Sequence, residues 1–548
     1  MRSKRIALVA SLACASTACP DETIEPAGLE APPPVVDESG RVPDLICPGS
    51  PGCESAAGDL LAGAAARPIT PTIETWTDSN ANGVQDGAEP YDDVNGNGAW
   101  DGVWLAGFSP GRAAVGVHDD VWSRVIVLKK GDLAIGMVAL DLVGFFHDDV
   151  VRIRLAAQAA GLDLDQIVVS TTHTHEGPDT MGIWGENPVV SGYDPTYVDE
   201  VIVARTVEAL KEASDNARPA SARLAVTQAP ELVNDTRLPE VLDQALTVLQ
   251  LRDAATGSPL ANAVFWGNHP EALGSDNTLI TSDYAHFLRD ELEVRYPSAV
   301  AVFFSGSLGG LSTTIGVTGC PTEEGTETCP QGTWERAEYI GRGAAVAVAS
   351  ALESEDARDL PGDSLELELR RRAFLLTTTN GALALAFWIG VLPRNLFFVE
   401  TGKPLGEEDL AALTPGNLLD QVVAVQTEVG VIRIGPLAIA TVPGELYPEL
   451  WLVKPDGGSY IERPEGGDFP DASPETPLMA LLPGGVVPVV INNANDALGY
   501  ILPKTQWDQN KPFAYGETES PQYGEQNSLG ADTAARISAE FSGMQSAK

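Results

Sequence analysis

The sequence predicts an α/β domain of layered, mixed sheets, and three observations support this class. The chain has 548 residues and 44% hydrophobic content, which is enough for a large buried core. From Arg112 onward, apolar segments with strand character alternate with segments of helical spacing, as they do in α/β domains. Glycine ends the first of these helical segments, at Gly161.

The elements follow one another in a regular order. Two strands are predicted on either side of Lys130-Gly131-Asp132, then a helix in DDVVRIRLAAQAAG and a short strand in DQIVVSTTH. Further strands are predicted in ALTVLQLRD, NAVFWGNH, AVAVFFSG and EVGVIRIGPLAIATVPGE. Further helices are predicted in YVDEVIVARTVEALKEA, DYAHFLRDELEVRY and WERAEYIGRGAAVAVASALES.

The N-terminus is typical of an exported protein. In residues 1–19, basic residues precede a short apolar run, and small residues then lead to Cys19. This segment resembles a bacterial lipoprotein signal in which Cys19 is lipidated, and a plain secretory signal is the alternative. We therefore expect a membrane-anchored lipoprotein, in the periplasm or at the cell surface, or a secreted protein. Residues 20–70 are acidic, proline-rich and then alanine- and glycine-rich, and are predicted to be a disordered tether.

The composition excludes some classes of binding partner. The formal net charge is −43, which repels phosphates, so no nucleic-acid partner is expected. No later apolar run reaches the ~18 residues that span a bilayer, so no transmembrane helix is expected; the nearest, residues 381–392, is predicted to be a buried helix. Two local cysteine pairs, Cys47/Cys53 and Cys320/Cys329, suggest two small disulfide loops in an exported chain. The sequence does not determine the pairing.

Residues 71–105 contain two calcium-loop motifs in tandem. In DSNANGVQDGAE, oxygen-bearing residues occupy the ligand positions of an EF-hand-type loop and Gly83 occupies the sharp turn. The predicted calcium ligands of this first loop are Asp78, Asn80, Asn82, Val84 (through its carbonyl), Asp86 and Glu89. Those of the second loop are Asp93, Asn95, Asn97 and Asp101. Its last position is Trp104, so the second loop lacks the bidentate acid; a structural calcium clip is expected, with plain Asn/Gly turns as the alternative.

Three strand ends carry candidate metal ligands. His173 and His175 follow the strand QIVVSTT, and residues two apart on a strand face the same side. His269 follows the strand in VFWGNH, and Glu445 follows the strand in LAIATVPGE. Histidines and a carboxylate are the usual protein ligands of hydrolytic zinc. Hydrogen-bonded surface histidines are the alternative, and the sequence alone does not show that the three ends converge.

Five motifs in order resemble those of the neutral/alkaline non-lysosomal ceramidases: STTHTHEGP, FWGNHPEALGSDNTLITSDY, FFSGSLGGLSTT, TVPGELYPE and NDALGYILP. The resemblance covers residues 112–530, within a catalytic domain predicted at 106–548. It implies a layered mixed-sheet zinc hydrolase. Enzymes of this family hydrolyse the N-acyl amide bond of ceramide to a fatty acid and sphingosine, through attack by zinc-bound hydroxide.

The resemblance also implies roles for particular residues. The implied zinc ligands are His173, His269, Glu445 and Tyr500. The implied transition-state contacts are His175, Arg237 and Tyr523, with Tyr515 as the rival tyrosine, and a conserved family serine falls on Ser312. The chain departs from the family pattern at Glu176, where ceramidases usually have serine, and at Gly310, where they have aspartate. The ligand set is therefore better defined than the substrate.

The leading hypothesis is thus an exported zinc amidohydrolase with structural calcium, acting on ceramide or a related N-acyl lipid. One alternative is the same scaffold acting on a different amide or ester. Another is a calcium-stabilised surface binding protein without catalysis.

Overall fold

The protein is built in four layers, helix–sheet–sheet–helix. The computed structural model describes residues 42–318, 320, 329–414, 418 and 423–547. The two main sheets have nine and six strands and both are mixed, and three further pairs of strands form two-stranded sheets. The α/β layered class predicted from the alternating segments is confirmed.

The strands are numbered in chain order. They are β1 Leu45–Cys47, β2 Leu61–Pro68, β3 Gly116–Val117, β4 Trp122–Lys130, β5 Leu133–Leu140, β6 Gln166–Thr171, β7 Arg218–Gln228, β8 Asn234–Asp235, β9 Ala245–Asp253, β10 Pro259–Trp266, β11 Leu279–Ile280, β12 Val300–Ser305, β13 Ser312–Thr313, β14 Arg358–Leu360, β15 Leu367–Thr377, β16 Phe397–Phe398, β17 Val423–Ile434, β18 Leu437–Thr441, β19 Glu445–Leu446, β20 Val487–Ile491 and β21 Tyr500–Ile501. The large sheet has the order β12-β10-β9-β7-β2-β4-β5-β6, with β14 beside β7, and the smaller sheet has the order β1-β15-β17-β18-β20, with β16 beside β17.

The helices cover the outer faces of the two sheets. They are α1 His147–Ala159, α2 Ala204–Asp215, α3 Tyr284–Arg295, α4 Trp334–Glu353, α5 Gly381–Trp388, α6 Glu407–Ala412, α7 Pro448–Trp451 and α8 Thr533–Ser546. A π-helical turn, Tyr197–Val203, leads directly into α2. The helix predicted over residues 197–213 therefore forms, but its first seven residues are wound more widely than an α-helix.

Apolar side chains fill three interfaces between the layers. Between the two sheets, residues such as Met137 and Phe265 of the large sheet pack against residues such as Ile432 of the smaller one. Helices α1 and α2 cover one part of the large sheet, and α3 and α4 cover the rest. Helix α8 and the segments around α5 and α7 cover the outer face of the smaller sheet. The apolar run at 381–392 is thus a packed helix, with Ala384 and Phe387 buried, and no described helix is long and apolar enough to cross a membrane.

The tether predicted over residues 20–70 is wrong for its second half. Residues 45–47 form β1 in the smaller sheet, and residues 61–68 form β2 between β4 and β7. The small residues of β2 allow close packing rather than disorder: a Cβ added at Gly63 would lie 2.0 Å from the Ala213 carbonyl oxygen on α2. The signal at 1–19 and residues 20–41 lie outside the described residues.

Both local cysteine pairs form disulfides, Cys47–Cys53 and Cys320–Cys329. The first closes the turn after β1, with Cα atoms 5.5 Å apart. The pairing left open by the sequence is therefore the local one.

The two sheets are joined where the candidate site lies. Ser170 of β6 forms an isolated antiparallel bridge with Ala494, just beyond β20 of the other sheet. The Asn495 N–H donates to the Val169 carbonyl at 2.6 Å, and the Asn495 side chain accepts from the Val169 N–H at 2.8 Å. The end of β6, which carries the two histidines, is thereby fixed against the end of β20.

Candidate metal centre

Loops from both sheets converge on one buried cluster. His173 and His175 follow β6, His269 follows β10, and Glu445 begins β19 just after β18. All four side chains are at least nine-tenths buried. His173 has a left-handed backbone, with φ of 67°, a conformation that costs energy and is found most often at functional sites. The convergence that the sequence could not establish is therefore present.

The rings of His173 and His269 are held in the same way. Nδ1 of His173 lies 2.6 Å from the Val143 carbonyl oxygen, and Nδ1 of His269 lies 2.7 Å from the Ser312 carbonyl oxygen. A carbonyl oxygen only accepts, so each Nδ1 carries the proton and each Nε2 presents a lone pair. Such an outer contact fixes the tautomer of metal-binding histidines.

Glu445 completes the cluster. Its Oε2 lies 3.2 Å from Nε2 of His269 and 3.4 Å from Nε2 of His173. Burial opposes ionisation of the carboxyl, but the two imidazoles lower its pKa below the ordinary value. Burial also opposes protonation of His269, but the hydrogen bond to Glu445 raises the pKa of that imidazole. Two ring nitrogens and an ionised oxygen at these distances require a cation between them, a proton or a metal ion. The donor set fits zinc.

His175 faces the same space. The three histidines offer ring nitrogens that all lie within 4.8 Å of one another, and Nε2 of His175 is 3.4 Å from Nε2 of His173. Burial and the two neighbouring imidazoles lower the pKa of His175 well below its ordinary value, so the ring is neutral at pH 7. The geometry alone does not separate a ligand role for His175 from the predicted role as transition-state contact.

The backbone of the His-Thr-His loop is fixed by a buried ion pair. Arg112 donates through one terminal nitrogen to the carbonyl oxygens of Ala106 and His175, and through the other to the Glu176 carboxylate at 3.1 Å. Asn277 donates to the same carboxylate oxygen at 2.8 Å. Burial raises the pKa of Glu176 well above its ordinary value, against the influence of Arg112. Glu176 therefore stabilises the His-Thr-His loop through its contacts with Arg112 and Asn277.

Tyrosines lie beside Glu445. Tyr500 pairs with Glu445 in the short parallel ladder of β19 and β21. Its ring is 5.8 Å from that of Tyr523 and 6.0 Å from that of Tyr447, centre to centre. Burial, reinforced by Glu445, raises the pKa of Tyr500 well above its ordinary value. Tyr523, and not its rival, therefore packs against the predicted ligand tyrosine; the hydroxyl of Tyr515 lies 3.4 Å from Glu462.

Arg237 and Ser312 have contacts that the sequence did not suggest. Both terminal nitrogens of Arg237 donate to Glu525, at 2.8 and 3.2 Å, and one also donates to the Tyr523 carbonyl. The guanidinium thus holds the loop that carries Tyr523, and its predicted part as an oxyanion donor stays a prediction. Ser312 acts on His269 through its backbone carbonyl. Its buried hydroxyl has no hydrogen-bond partner among the described residues.

The two predicted calcium loops have matching geometry. In the first, the Glu89 carboxylate accepts from the N–H groups of Ser79 and Asp86, at 2.7 and 3.1 Å. In the second, the Glu74 carboxylate accepts from the N–H groups of Val94 and Asp101, both at 2.9 Å. Those four donors occupy equivalent positions in their loops. Glu74, which precedes both loops, therefore takes the place of the acid that Trp104 cannot supply.

The remaining predicted calcium ligands surround the same two turns. Asp78 accepts from the N–H groups of Asn82 and Gly83, and the Gly83 hydrogen bond lowers the pKa of Asp78. Asp93 accepts from the equivalent Asn97 and Gly98. The amides of Asn80, Asn82, Asn95 and Asn97 reach Asp86 or Asp101 of their own loop, and Val84 is exposed.

Five residues around the two sites were not predicted from the sequence: Arg112, Glu271, Asn493, Tyr447 and Glu74. Glu271 lies two residues beyond His269, and its Oε2 is 3.6 Å from Nδ1 of His175. Asn493, in the loop after β20, places its amide nitrogen 3.1 Å from Nδ1 of His173. The signal for Glu271 was present in Asn-His-Pro-Glu, a carboxylate in the same turn as a predicted ligand. Tyr447 likewise lies two residues beyond Glu445, in the motif TVPGELYPE. Asn493 depends on the packing of distant loops and had no local signal.

The fold and the buried cluster together describe the class of protein. It is a four-layer α/β protein with a buried centre of imidazoles and a carboxylate, located where strand ends of both sheets meet. Solved neutral ceramidases share this fold. Neutral ceramidase from Pseudomonas aeruginosa aligns with a TM-score of 0.59 and 16% sequence identity, over 89% of this chain and 74% of that one. A ceramidase complexed with C2 aligns with a TM-score of 0.60 and 15% identity, over 89% of this chain and 75% of that one. No protein-family model and no curated protein sequence matches the chain. The fold implied by the five motifs is therefore confirmed.

Proposed function

We propose that the protein is a zinc-dependent amidohydrolase that cleaves the N-acyl amide bond of ceramide or a related N-acyl lipid. One observation carries the proposal. The Nε2 atoms of His173 and His269 converge on the ionised Glu445 carboxylate, at 3.4 and 3.2 Å, in a chain with the fold of neutral ceramidases. Such a donor set is unfavourable without a bound cation.

In this proposal His173, His269 and Glu445 hold the zinc, with Tyr500 beside Glu445. Zinc bound there polarises an amide carbonyl and lowers the pKa of water to about 7. His175 presents a buried, neutral imidazole to the same space, where it can exchange a proton with the attacking water or the leaving nitrogen. Tyr523 lies at the exposed edge of the tyrosine cluster, with 47% of its surface accessible, and can contact an entering substrate.

The substrate is proposed by analogy with the two ceramidases that share the fold. An N-acyl lipid carries the amide that the site would hydrolyse, and the products would be a fatty acid and a sphingoid base. A different amide or ester on the same scaffold is the second candidate, because the chain departs from the family pattern at Glu176 and Gly310.

The zinc content of the purified protein tests whether the cluster is a metal centre. The purified protein should hold about one zinc per chain, and His269→Ala should lose it because one Nε2 donor disappears. His118→Ala is the matched control, since His118 lies at the surface with its Nδ1 2.8 Å from Asp119, outside the cluster. A wild-type protein that binds no zinc would remove the proposal. Release of amine from short N-acyl amines but not from ceramide would favour the second candidate.

We further propose that the loops at 71–105 bind two structural calcium ions. Asp78 to Glu89 would hold the first ion, and Asp93 to Asp101 together with Glu74 the second. The proposal is supported by the EF-hand-type spacing and by the equivalent contacts of Glu89 and Glu74.

Export with a lipid anchor at Cys19 is proposed from the N-terminal sequence. The two disulfides support an oxidising compartment. Incorporation of labelled fatty acid that is lost in Cys19→Ser would support the anchor, and incorporation unchanged in that variant would exclude it.

A further inference from the structure

We propose that Glu271 is a positioning residue that orients the imidazole of His175, so that Nε2 of this ring, unprotonated, faces the metal space. The inference rests on the proposed function and adds a residue to it. It starts from a difference among the three histidines of the cluster: two have a backbone carbonyl at Nδ1, and the third has a carboxylate.

His173 and His269 show how the histidine rings of this cluster are held. Each Nδ1 lies within 2.7 Å of a backbone carbonyl oxygen, which fixes the tautomer. Nδ1 of His175 is buried and makes no hydrogen bond to any described residue. The Glu271 carboxyl faces this nitrogen, with its Oε2 3.6 Å away. A shift of a few tenths of an ångström would close this gap to hydrogen-bond length.

Glu271 is itself held in place. Its Oε1 accepts a short hydrogen bond from the Thr313 hydroxyl, and its N–H donates to the His269 carbonyl at 3.0 Å. Thr313 in turn forms a parallel bridge with His269. The turn that presents His269 therefore also fixes one carboxylate oxygen of Glu271 and leaves the other for His175.

The ring of His175 has little freedom to turn elsewhere. Its backbone N–H donates to the Pro270 carbonyl at 3.0 Å, which ties it to the residue next to Glu271. On the opposite side, Gly107 lies against its Cβ, and the Phe108 ring meets it edge-on at 5.0 Å between centres. The proton of this confined ring has two competing acceptors, the Glu271 carboxylate at Nδ1 and Nε2 of His173, 3.4 Å from Nε2 of His175. The carboxylate is the stronger acceptor. A carboxylate partner also makes the opposite nitrogen more basic than a carbonyl partner does.

The tautomer is measured directly in metal-free protein selectively labelled with ¹⁵N-histidine. The chain has six histidines, and His175 is assigned from its missing signals in His175→Asn. We expect His175 to carry its proton on Nδ1 in the wild type and to lose this preference in Glu271→Leu. Thr313→Val, which removes only the donor that holds Glu271, should shift the population in the same direction by less.

Hydrolysis gives the second measurement. Glu271→Leu should lower kcat/KM about 10- to 100-fold, the range typical for removal of an outer partner at a metal site. Glu271→Gln, which keeps an acceptor oxygen, should retain most of the activity. Glu475→Leu is the matched control, because Glu475 is as buried as Glu271 but accepts from the Lys504 N–H outside the cluster.

The outcomes separate this inference from the proposed function. If the wild type binds no zinc, the proposed function fails, while the tautomer in metal-free protein still tests the role of Glu271. If zinc binds but Glu271→Leu and Thr313→Val leave both the tautomer of His175 and kcat/KM unchanged, Glu271 does not position His175.

Discussion

Gly107 and His175 are in direct contact: a Cβ added at Gly107 would lie 2.4 Å from both Cβ and Cγ of His175. The residue at 107 therefore determines where the imidazole can sit. Gly107→Ala should push the ring out of the cluster and lower kcat/KM about 100-fold, because misplacement by about 1 Å can cost that much. Steady-state hydrolysis measures the loss.

Gly58 provides the matched control. Its φ of 101° is close to the 104° of Gly107, but a Cβ there meets no described atom within 4 Å. Both alanine variants should lose about 1 kcal/mol of stability from the left-handed backbone, and only Gly107→Ala should lose activity. Equal activity in the two variants would show that Gly107 does not set the position of His175.

The ion pair of Arg112 and Glu176 should be strongly coupled, because both side chains are buried. Arg112→Met leaves the Glu176 carboxylate without its cation and should destabilise the fold by about 3–5 kcal/mol. Adding Glu176→Gln removes the unpaired charge, so the double variant should be more stable than Arg112→Met alone. Denaturant unfolding of the wild type, Arg112→Met, Glu176→Gln and the double variant measures the coupling. Strictly additive effects on the free energy of unfolding would contradict it.

Glu449 should make stability depend on pH. Burial raises its pKa from 4.5 to about 7, against a hydrogen bond from Gln506. The folded state thus binds a proton more tightly than the unfolded state, and its contribution to stability is lost as pH rises from about 4.5 to about 7. Glu449→Gln cannot ionise, so its Tm relative to the wild type should increase across this window and then level off. A constant difference in Tm from pH 4.5 to 8 would refute this.

Calcium should stabilise the protein through two separate loops. Calcium binding raises Tm by mass action, and titration calorimetry should find two sites. Glu89→Gln should weaken the first and Glu74→Gln the second, whereas Glu200→Gln, at an exposed position, should change neither. If Glu74→Gln leaves both sites intact, the second loop does not use that carboxylate.

Most helices and strands, and part of the candidate site, could be predicted from the sequence. Strand β6 and the strands before His269 and Glu445 are short apolar runs with sharp turns, so local pattern predicts both the strands and the side chains at their ends. The same reasoning failed for β2, because Ala/Gly-rich composition is typical of linkers and also of strands that lie close under a helix. Only the contact with α2 separates the two.

The outer contacts of the site were not predictable in this way. Val143 and Ser312 hold the histidine rings through backbone carbonyls, so their side chains carry no signal. Asn493 and Arg112 reach the cluster from segments 320 and 63 residues away from His173 and His175. Glu74 serves a loop that begins well after it. These contacts depend on how the layers pack, which no local pattern specifies.

The proposed function requires that a zinc held by this cluster hydrolyses the amide of an N-acyl lipid. It is tested most directly by fatty-acid release from labelled ceramide, measured on the same preparation as purified, after removal of metal by a chelator, and after return of one equivalent of zinc. Hydrolysis should be lost on chelation and restored by zinc, and Glu445→Gln should be inactive throughout. Undiminished hydrolysis by the metal-free protein, or no fatty acid from the zinc-loaded protein, would contradict it.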